Sequence, residues 1–186
     1  MACPAVHVRL RRPRAEDAEE RAALGVSALI VRGYGAIADS RPRLPLRDAA
    51  RWLKGLLRHT CAWVIEADGA LAGEARLDSI NLEDRRARLA IGLFTERHLG
   101  RGIGRQAVNL VLGHAFGALA LHRVDLRVLA RNDRAIRCYQ ACGFVREGIE
   151  RDAARVGEAW EDDWIMSILE HEYRALRRDA PAPPQA

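Results

Sequence analysis

Lysine is nearly absent: of 30 basic residues only Lys54 is lysine, which leaves 29 arginines. A lone amine gives Schiff-base chemistry almost no side chain to work with, whereas guanidinium groups suit phosphate-bearing ligands. Cysteine is scarce as well. Four thiols in 186 residues, at Cys3, Cys61, Cys138 and Cys142, are too few and too irregularly placed for a disulfide scaffold, so they read as reduced. No apolar run approaches the roughly 20 residues of a bilayer span, which excludes a transmembrane helix. Met1 to Arg14 carries arginines throughout and no apolar stretch of a secretory signal, so the expected compartment is the cytoplasm.

What the chain does have is 49% hydrophobic residues and 30% charged ones, the mixture of one globular domain. At this size about 70% of the unfolded surface can be buried. The net charge of +5 with pI near 9.5 raises the question of a polyanion partner. The arginines, however, alternate with Asp and Glu instead of forming a block, so neither a nucleic acid nor a membrane is expected. A nucleic-acid binder would show affinity falling steeply with salt.

Along the chain, Val6 to Arg12 alternates as a first strand and stops at Pro13. Ala18, Ala22, Val26, Leu29 and Ile30 recur at helical spacing and predict one helix over Glu16 to Val31. Gly33, Gly35, Pro42 and Pro45 make the following stretch a loop long enough to be functional. A helix is predicted over Leu46 to His59, and Asp68-Gly69 reads as the turn of a hairpin between Thr60 to Ala67 and Ala70 to Ile80. Ala87 to Phe94 is an apolar run expected to be buried on both faces. Then come a glycine-rich turn, a helix from Ile103, a strand from His122 to Leu129, a helix from Asn132 to Cys142, and strands from Phe144 to Arg151 and Ala159 to Leu169. The tail after Tyr173, rich in Ala and Pro, is expected to be mobile. Strands and helices mixed in this order give an α/β or α+β fold in one domain, 1–175, with 176–186 as its tail.

Leu99, Gly100, Arg101, Gly102, Ile103 and Gly104 form a turn between a strand and a helix. Without side chains, main-chain N–H groups at a helix start approach an anion closely, and the helix dipole favours it. A tight connection would use glycines too, and the turn alone does not separate the two. Arg105 and Gln106 follow Gly104 where a P-loop needs Lys and Ser or Thr, and Arg105 stands where a dinucleotide fingerprint needs glycine, so neither NTPase nor dehydrogenase is supported.

After the next strand come Asn132, Ala135, Tyr139, Gly143 and Phe144, spaced N-x-x-A-x-x-x-Y-x-x-x-G-F. The turn and this second motif together resemble the GNAT acetyltransferases, which move an acetyl group from acetyl-CoA to an amine. The branch it is most similar to contains the RimJ and RimL type protein N-terminal acetyltransferases and the spermidine acetyltransferases. Trp160, Asp162 and Met166 resemble the last-strand pattern of that branch. Leu99 departs from the Gln or Arg that usually opens the turn, at small cost where main-chain N–H groups do the binding.

The resemblance implies a mixed central sheet of six to seven strands flanked by helices, acetyl-CoA as cosubstrate and no metal. It implies that Leu99 to Arg105 (Leu99, Gly100, Arg101, Gly102, Ile103, Gly104, Arg105) hold the diphosphate, and that the pantetheine arm lies along Leu93 and Phe94, where neighbouring strands splay. An N–H of Phe94 or its neighbour would face the developing oxyanion. Asn132 would touch the cofactor, although Asn is also a favoured helix N-cap. Tyr139 would be the acid that protonates the leaving thiolate, against the plainer role of a tyrosine packed on the sheet.

The base that deprotonates the amine stays open among Glu74, Asp78, Glu83, Asp84 and Asp162. Arg76 and Arg88 fall where relatives often carry acids, which argues against a polyamine acceptor. Cys138 and Cys142 lack the second pair of a metal site and read as small core residues. His98, His114 and His122 lack metal spacing as well. Trp52, Trp63, Trp160 and Trp164 are core by default, with an acceptor wall as the alternative. The expected reaction is direct attack by a primary amine, from a small molecule or a protein N-terminus, within a ternary complex. A CoA-binding regulatory module of the same fold without turnover is the alternative, and sheet edges are compatible with a homodimer.

Overall fold

The structure, a computed structural model, describes residues 6–178. Seven strands form one sheet in the order β1-β2-β3-β4-β5-β7-β6. They are β1 (Val8–Arg11), β2 (Ala62–Ala67), β3 (Ala70–Asn81), β4 (Arg86–Leu93), β5 (Arg123–Leu129), β6 (Val145–Val156) and β7 (Ala159–Leu169). The helices are α1 (Asp17–Leu24), α2 (Ala28–Gly33), α3 (Leu46–Arg58), α4 (Ile103–Phe116), α5 (Asp133–Gln140) and α6 (Glu170–Arg178). No helix among the described residues is long and apolar enough to cross a membrane.

Two layers of helices cover the sheet, and the alternation along β2 separates them. Ile65 packs into the large core with Ile103, Ala107, Val108, Val111 and Leu112 of α4. Its neighbour Val64 points to the other face, into a smaller cluster with Leu56 of α3. The stripe read along α4 is buried as its period requires. Asp68 and Gly69 both take positive φ, +50° and +83°, the requirement of the two-residue turn between β2 and β3.

Several expectations change. The single helix over Glu16 to Val31 is broken into α1 and α2 at Gly25, whose φ is +67° and where an added Cβ would lie 2.2 Å from the Arg41 carbonyl oxygen. Val26 then pairs with Arg41 through two main-chain hydrogen bonds of 2.8 Å, folding the following loop back on α1. The expected strand to Arg151 runs on to Val156, because residues 154–156 pair with Glu161, Trp160 and Ala159 beyond a bulge. The start of β4 is not buried on both faces: Ala87 and Leu89 are buried, while Arg86 and Arg88 are exposed. Part of the expected tail is helical, since α6 extends to Arg178. Residues 179–186 and Cys3 lie outside the described residues.

Among the described residues only one strand pair is parallel, β4 with β5, joined by the crossover through α4. It is paired over just three residues, Arg86 to Arg88 against Arg123 to Asp125. Beyond that point β4 stays with β3 as far as Leu93, and β5 stays with β7 as far as Leu129. The sheet therefore splits into a V near its middle.

Candidate active site

The V opens a cleft of about 710 Å³. Its walls are Leu89 to Leu93 of β4 and Arg127 to Leu129 of β5, and it reaches the start of α4 on one side and α5 on the other. In an antiparallel pair, successive residues direct their main-chain groups alternately toward and away from the partner. The N–H of Phe94 donates to the Ala72 carbonyl at 2.9 Å, so this residue faces β3. Leu93 and Ile91 therefore turn their main-chain groups to the open side, where no strand meets them. This corrects one expectation: Phe94 does not line the cleft, its N–H is taken, and its ring packs on Trp52 at 5.4 Å between centroids.

At the far end, Gly100 and Gly102 have φ of +71° and +77°. A Cβ at Gly100 would meet nothing within 4 Å, so its conformation, not crowding, calls for glycine. The α4 start has no side-chain cap and no acidic residue in its first turn, which leaves its N–H groups and positive dipole end to the cleft. Leu99, Gly100, Gly102, Ile103, Gly104 and Arg105 all line it. Arg101 does not; it turns outward to Asp68 at 3.7 Å.

Asn132 caps α5, accepting from the Ala135 N–H at 3.2 Å, and its amide donates to the Gly33 carbonyl at 3.0 Å. It lines the cleft at the same time, so capping and cleft-facing positions coincide. About two helical turns later, Tyr139 turns its ring onto Phe144 and lines the cleft. Burial pushes its phenol well above the ordinary value, with Tyr34, Cys138 and Cys142 adding to the shift, so it stays protonated.

The carboxylates considered as bases are distributed otherwise than expected. Glu74 accepts from the Trp52 indole and from Arg76. Asp78 lines the cleft but is held by Arg76 and His59, each at 3.0 Å. Asp84 binds Asn81 in the turn before β4, and neither it nor Glu83 reaches the cleft. Asp162 accepts from the Asp152 N–H at 2.9 Å and is likewise outside. The positive charges at Arg76 and Arg88 are neutralised, by Glu74 and Asp78 and by Asp125 at 2.7 Å, which removes the repulsion expected of them.

None of the four tryptophans walls the cleft: Trp63 packs on His114, Trp164 lies under the Arg146 guanidinium, and Trp160 is exposed. His98 is buried beside Thr95, and burial pushes its imidazole down. Cys138 is not simply a core residue. It lines the cleft, where a Cβ on Gly104 would lie 3.7 Å from its sulfur, while Cys142 is buried and bonded to the Arg105 carbonyl.

Several cleft residues escaped the sequence reading. Tyr34 lies in the loop flagged as functional, and its hydroxyl donates to the Leu93 carbonyl at 3.4 Å; loss of water pushes this phenol up to about 12. The phenol can rest there because residue 92 is glycine: a Cβ would sit 2.5 Å from its oxygen. Arg134 and Arg137 on α5 face the same rim as Arg105. Their signal was available, since α5 begins at the Asn132 motif and arginine suits phosphate. Asp163 also lines the cleft, one residue beyond the aspartate singled out in sequence.

Residues 7–145 match the acetyltransferase (GNAT) domain family. The chain is 40% identical over 80 residues to "Probable N-acetyltransferase YjcK" of Bacillus subtilis (strain 168), covering 42% of this chain and 44% of that protein. It is 33% identical over 110 residues to the spermidine N(1)-acetyltransferase of Vibrio cholerae, covering 59% and 63%. The matches thus span less than two thirds of these curated relatives' length. In fold, it resembles the crystal structure of spermidine N-acetyltransferase from Vibrio cholerae in complex with CoA and spermine. The TM-score is 0.72 over 91% of this chain and 98% of that one, at 24% identity.

Proposed function

The chain belongs to the GNAT acetyltransferase family, and from that premise we propose that it transfers an acetyl group from acetyl-CoA to a primary amine by direct attack in a ternary complex. The observation that carries the reading is the split between β4 and β5, a slot through the sheet with a free helix start at one end and charged side chains at the other. Such a slot lets a donor and an acceptor meet from opposite faces.

The residues fit CoA. Room above Gly100 and Gly102, the uncapped start of α4 and the cleft-facing Arg105, Arg134 and Arg137 suit an anionic diphosphate and its neighbouring phosphate. The Leu93 and Ile91 main chain offers the edge of a strand to the amides of the pantetheine arm, as a further strand would. Acetyl-CoA, when bound, supplies the activated acyl carbon. The Leu93 N–H is the donor aimed at negative charge developing on the acyl oxygen, a role that works best where water is excluded. Tyr139 keeps its proton because its phenol is buried, so it offers a hydrogen bond to a departing thiolate. Asn132 fixes the start of α5 against Gly33 and thereby sets where Tyr139 falls.

A cytoplasmic setting belongs to this reading. The test is release of free CoA when acetyl-CoA is mixed with a panel of primary amines, peptides with free N-termini included. Amine-dependent thiol release with acetylated product is expected. Tight CoA binding with no turnover across the panel would instead favour a silent module of the same fold.

A further inference from the structure

The pairing registers place one set of charges on a single face of the sheet, the face opposite α4. Asp78 stands across from Arg88, Arg88 across from Asp125, Leu129 across from Asp163, and Asp163 across from Glu150. Side chains two apart share a face, so Glu74, Arg76 and Asp78 of β3, Arg127 of β5 and Asp163 of β7 all join it. Their intervening neighbours Leu77, Leu89, Leu126 and Met166 are buried in the core under α4. The acceptor side of the slot is therefore a sheet face of charged groups.

Most of these charges are already matched. Arg76 lies between Glu74 and Asp78, Arg88 binds Asp125, and Arg127 binds Glu150 at 2.8 Å. Asp78 has His59 as a second partner. The eight Arg and Asp side chains that line the cleft are six arginines, 76, 88, 105, 127, 134 and 137, and two aspartates, Asp78 and Asp163. Asp163 alone of the two has no hydrogen bond or ion pair among the described residues, although it is half-buried.

We propose that Asp163 anchors the ammonium of the acceptor before it gives up its proton, and that the acceptor carries a single positive charge, on the reacting nitrogen itself, and is not a polyamine. The proposal rests on the acetyl-transfer reading and names the substrate class of the same cleft. A primary ammonium leaving water brings three donors and a charge that must meet an anionic acceptor. Asp163 is the one cleft carboxylate not already engaged by a cation. Burial pushes it up against the opposing pull of Arg127, and Glu150 and Glu161 push the same way, so a docking cation relieves a desolvated charge. A polyamine would bring further ammonium groups, and among the described residues no second unengaged carboxylate lines the cleft to receive them.

The experiment uses the full chain saturated with CoA and titrates n-butylamine into the wild type, Asp163→Asn and Asp163→Glu. Thiol release from acetyl-CoA is measured on the same samples with butylamine and spermidine. Asp163→Asn should weaken butylamine binding by about 10- to 50-fold and raise its KM alike, while kcat stays within about threefold. CoA affinity should be unchanged, and Asp163→Glu should recover part of the loss. Wild-type kcat/KM for butylamine should exceed that for spermidine at least tenfold.

Butylamine affinity unchanged in Asp163→Asn, with CoA still bound, overturns the anchor and leaves acetyl transfer standing. Spermidine as the better substrate overturns the single-charge assignment. Asp163-dependent butylamine binding without turnover of any amine keeps the anchor and removes the acetyl-transfer reading. Should Asp163→Asn lose CoA binding through misfolding, Asp163→Ser in the same titration decides by the same criteria.

Discussion

Replacing Gly102 with aspartate separates the two things this residue does. Its φ of +77° is a left-handed conformation, and the nearest atom to an added Cβ is Gln106 Nε2 at 4.0 Å, so a side chain meets strain without collision. The strain amounts to about 1–2 kcal/mol. In a domain of this size each kcal/mol lowers Tm by about 2–4 °C, so the variant should melt roughly 2–8 °C early yet remain folded at 25 °C. The larger effect is on the ligand. A carboxylate about 5 Å from one negative charge of a bound diphosphate, at an effective dielectric of about 20–40, raises the free energy of binding by about 2–3 kcal/mol. That corresponds to CoA affinity about 30- to 140-fold weaker. Calorimetric titration of CoA measures it, with Gly102→Ala as the control that shares the backbone strain and lacks the charge. The aspartate effect should shrink as salt is raised, because the charge is exposed at the rim. A folded Gly102→Asp protein that binds CoA within threefold of wild type would show that the diphosphate lies elsewhere and that the α4 start is merely a tight connection.

Tyr139→Phe should lower kcat about 100-fold and leave the KM for acetyl-CoA within about twofold, the pattern of an interaction made only as the thiolate leaves; unchanged kcat in steady-state assays would reduce Tyr139 to packing. Asp17 is 1% exposed and bonded to the Arg11 guanidinium and the Arg14 N–H, so Asp17→Ala leaves Arg11 with Glu66 as its remaining carboxylate and should cost about 1.5–3 kcal/mol in urea unfolding. A loss below 1 kcal/mol would mean that water satisfies Arg11. Glu147 is held near 2 first by its hydrogen bond to Arg123, with burial opposing and Ser167 helping. A folded pKa below the unfolded value contributes stability that is present above the unfolded pKa and lost as pH falls through the folded one. Glu147→Gln should therefore flatten the stability profile between about pH 5 and pH 2, by a modest amount because the carboxylate is partly exposed; an unchanged acid limb in pH-dependent denaturation would contradict the ion pair's contribution.

The periodic elements were legible because their cause is local. The buried stripe of α4 repeats every three or four residues, and Asp68-Gly69 satisfies its own turn with no help from elsewhere. The same holds for the glycine turn and the Asn132 to Phe144 motif, whose resemblance to the family is carried by contiguous residues. Where a distant segment decides the outcome, the reading fell short. The helix over Glu16 to Val31 breaks because Gly25 meets Arg41, and the strand after Phe144 lengthens because a hairpin partner lies beyond it.

The candidate site divides along the same line. The chemistry of its donor end, glycines before an uncapped helix and a tyrosine on the next, was written in one stretch of chain. Which main-chain groups are free was not. Phe94 and Leu93 are adjacent and both apolar, yet only the register with β3 turns one N–H into the sheet and leaves the other to the cleft. The same register joins charges from β3, β4, β5 and β7 on one face, matches the arginines that looked repulsive, and selects Asp163 over its neighbour Asp162. Composition and spacing thus determined the fold class and the glycine turn proposed to hold the diphosphate, since helix period and turn conformation are properties of contiguous residues. The acceptor wall was decided by tertiary structure alone, because the pairing of strands far apart in sequence sets which charges meet and which one is left without a partner.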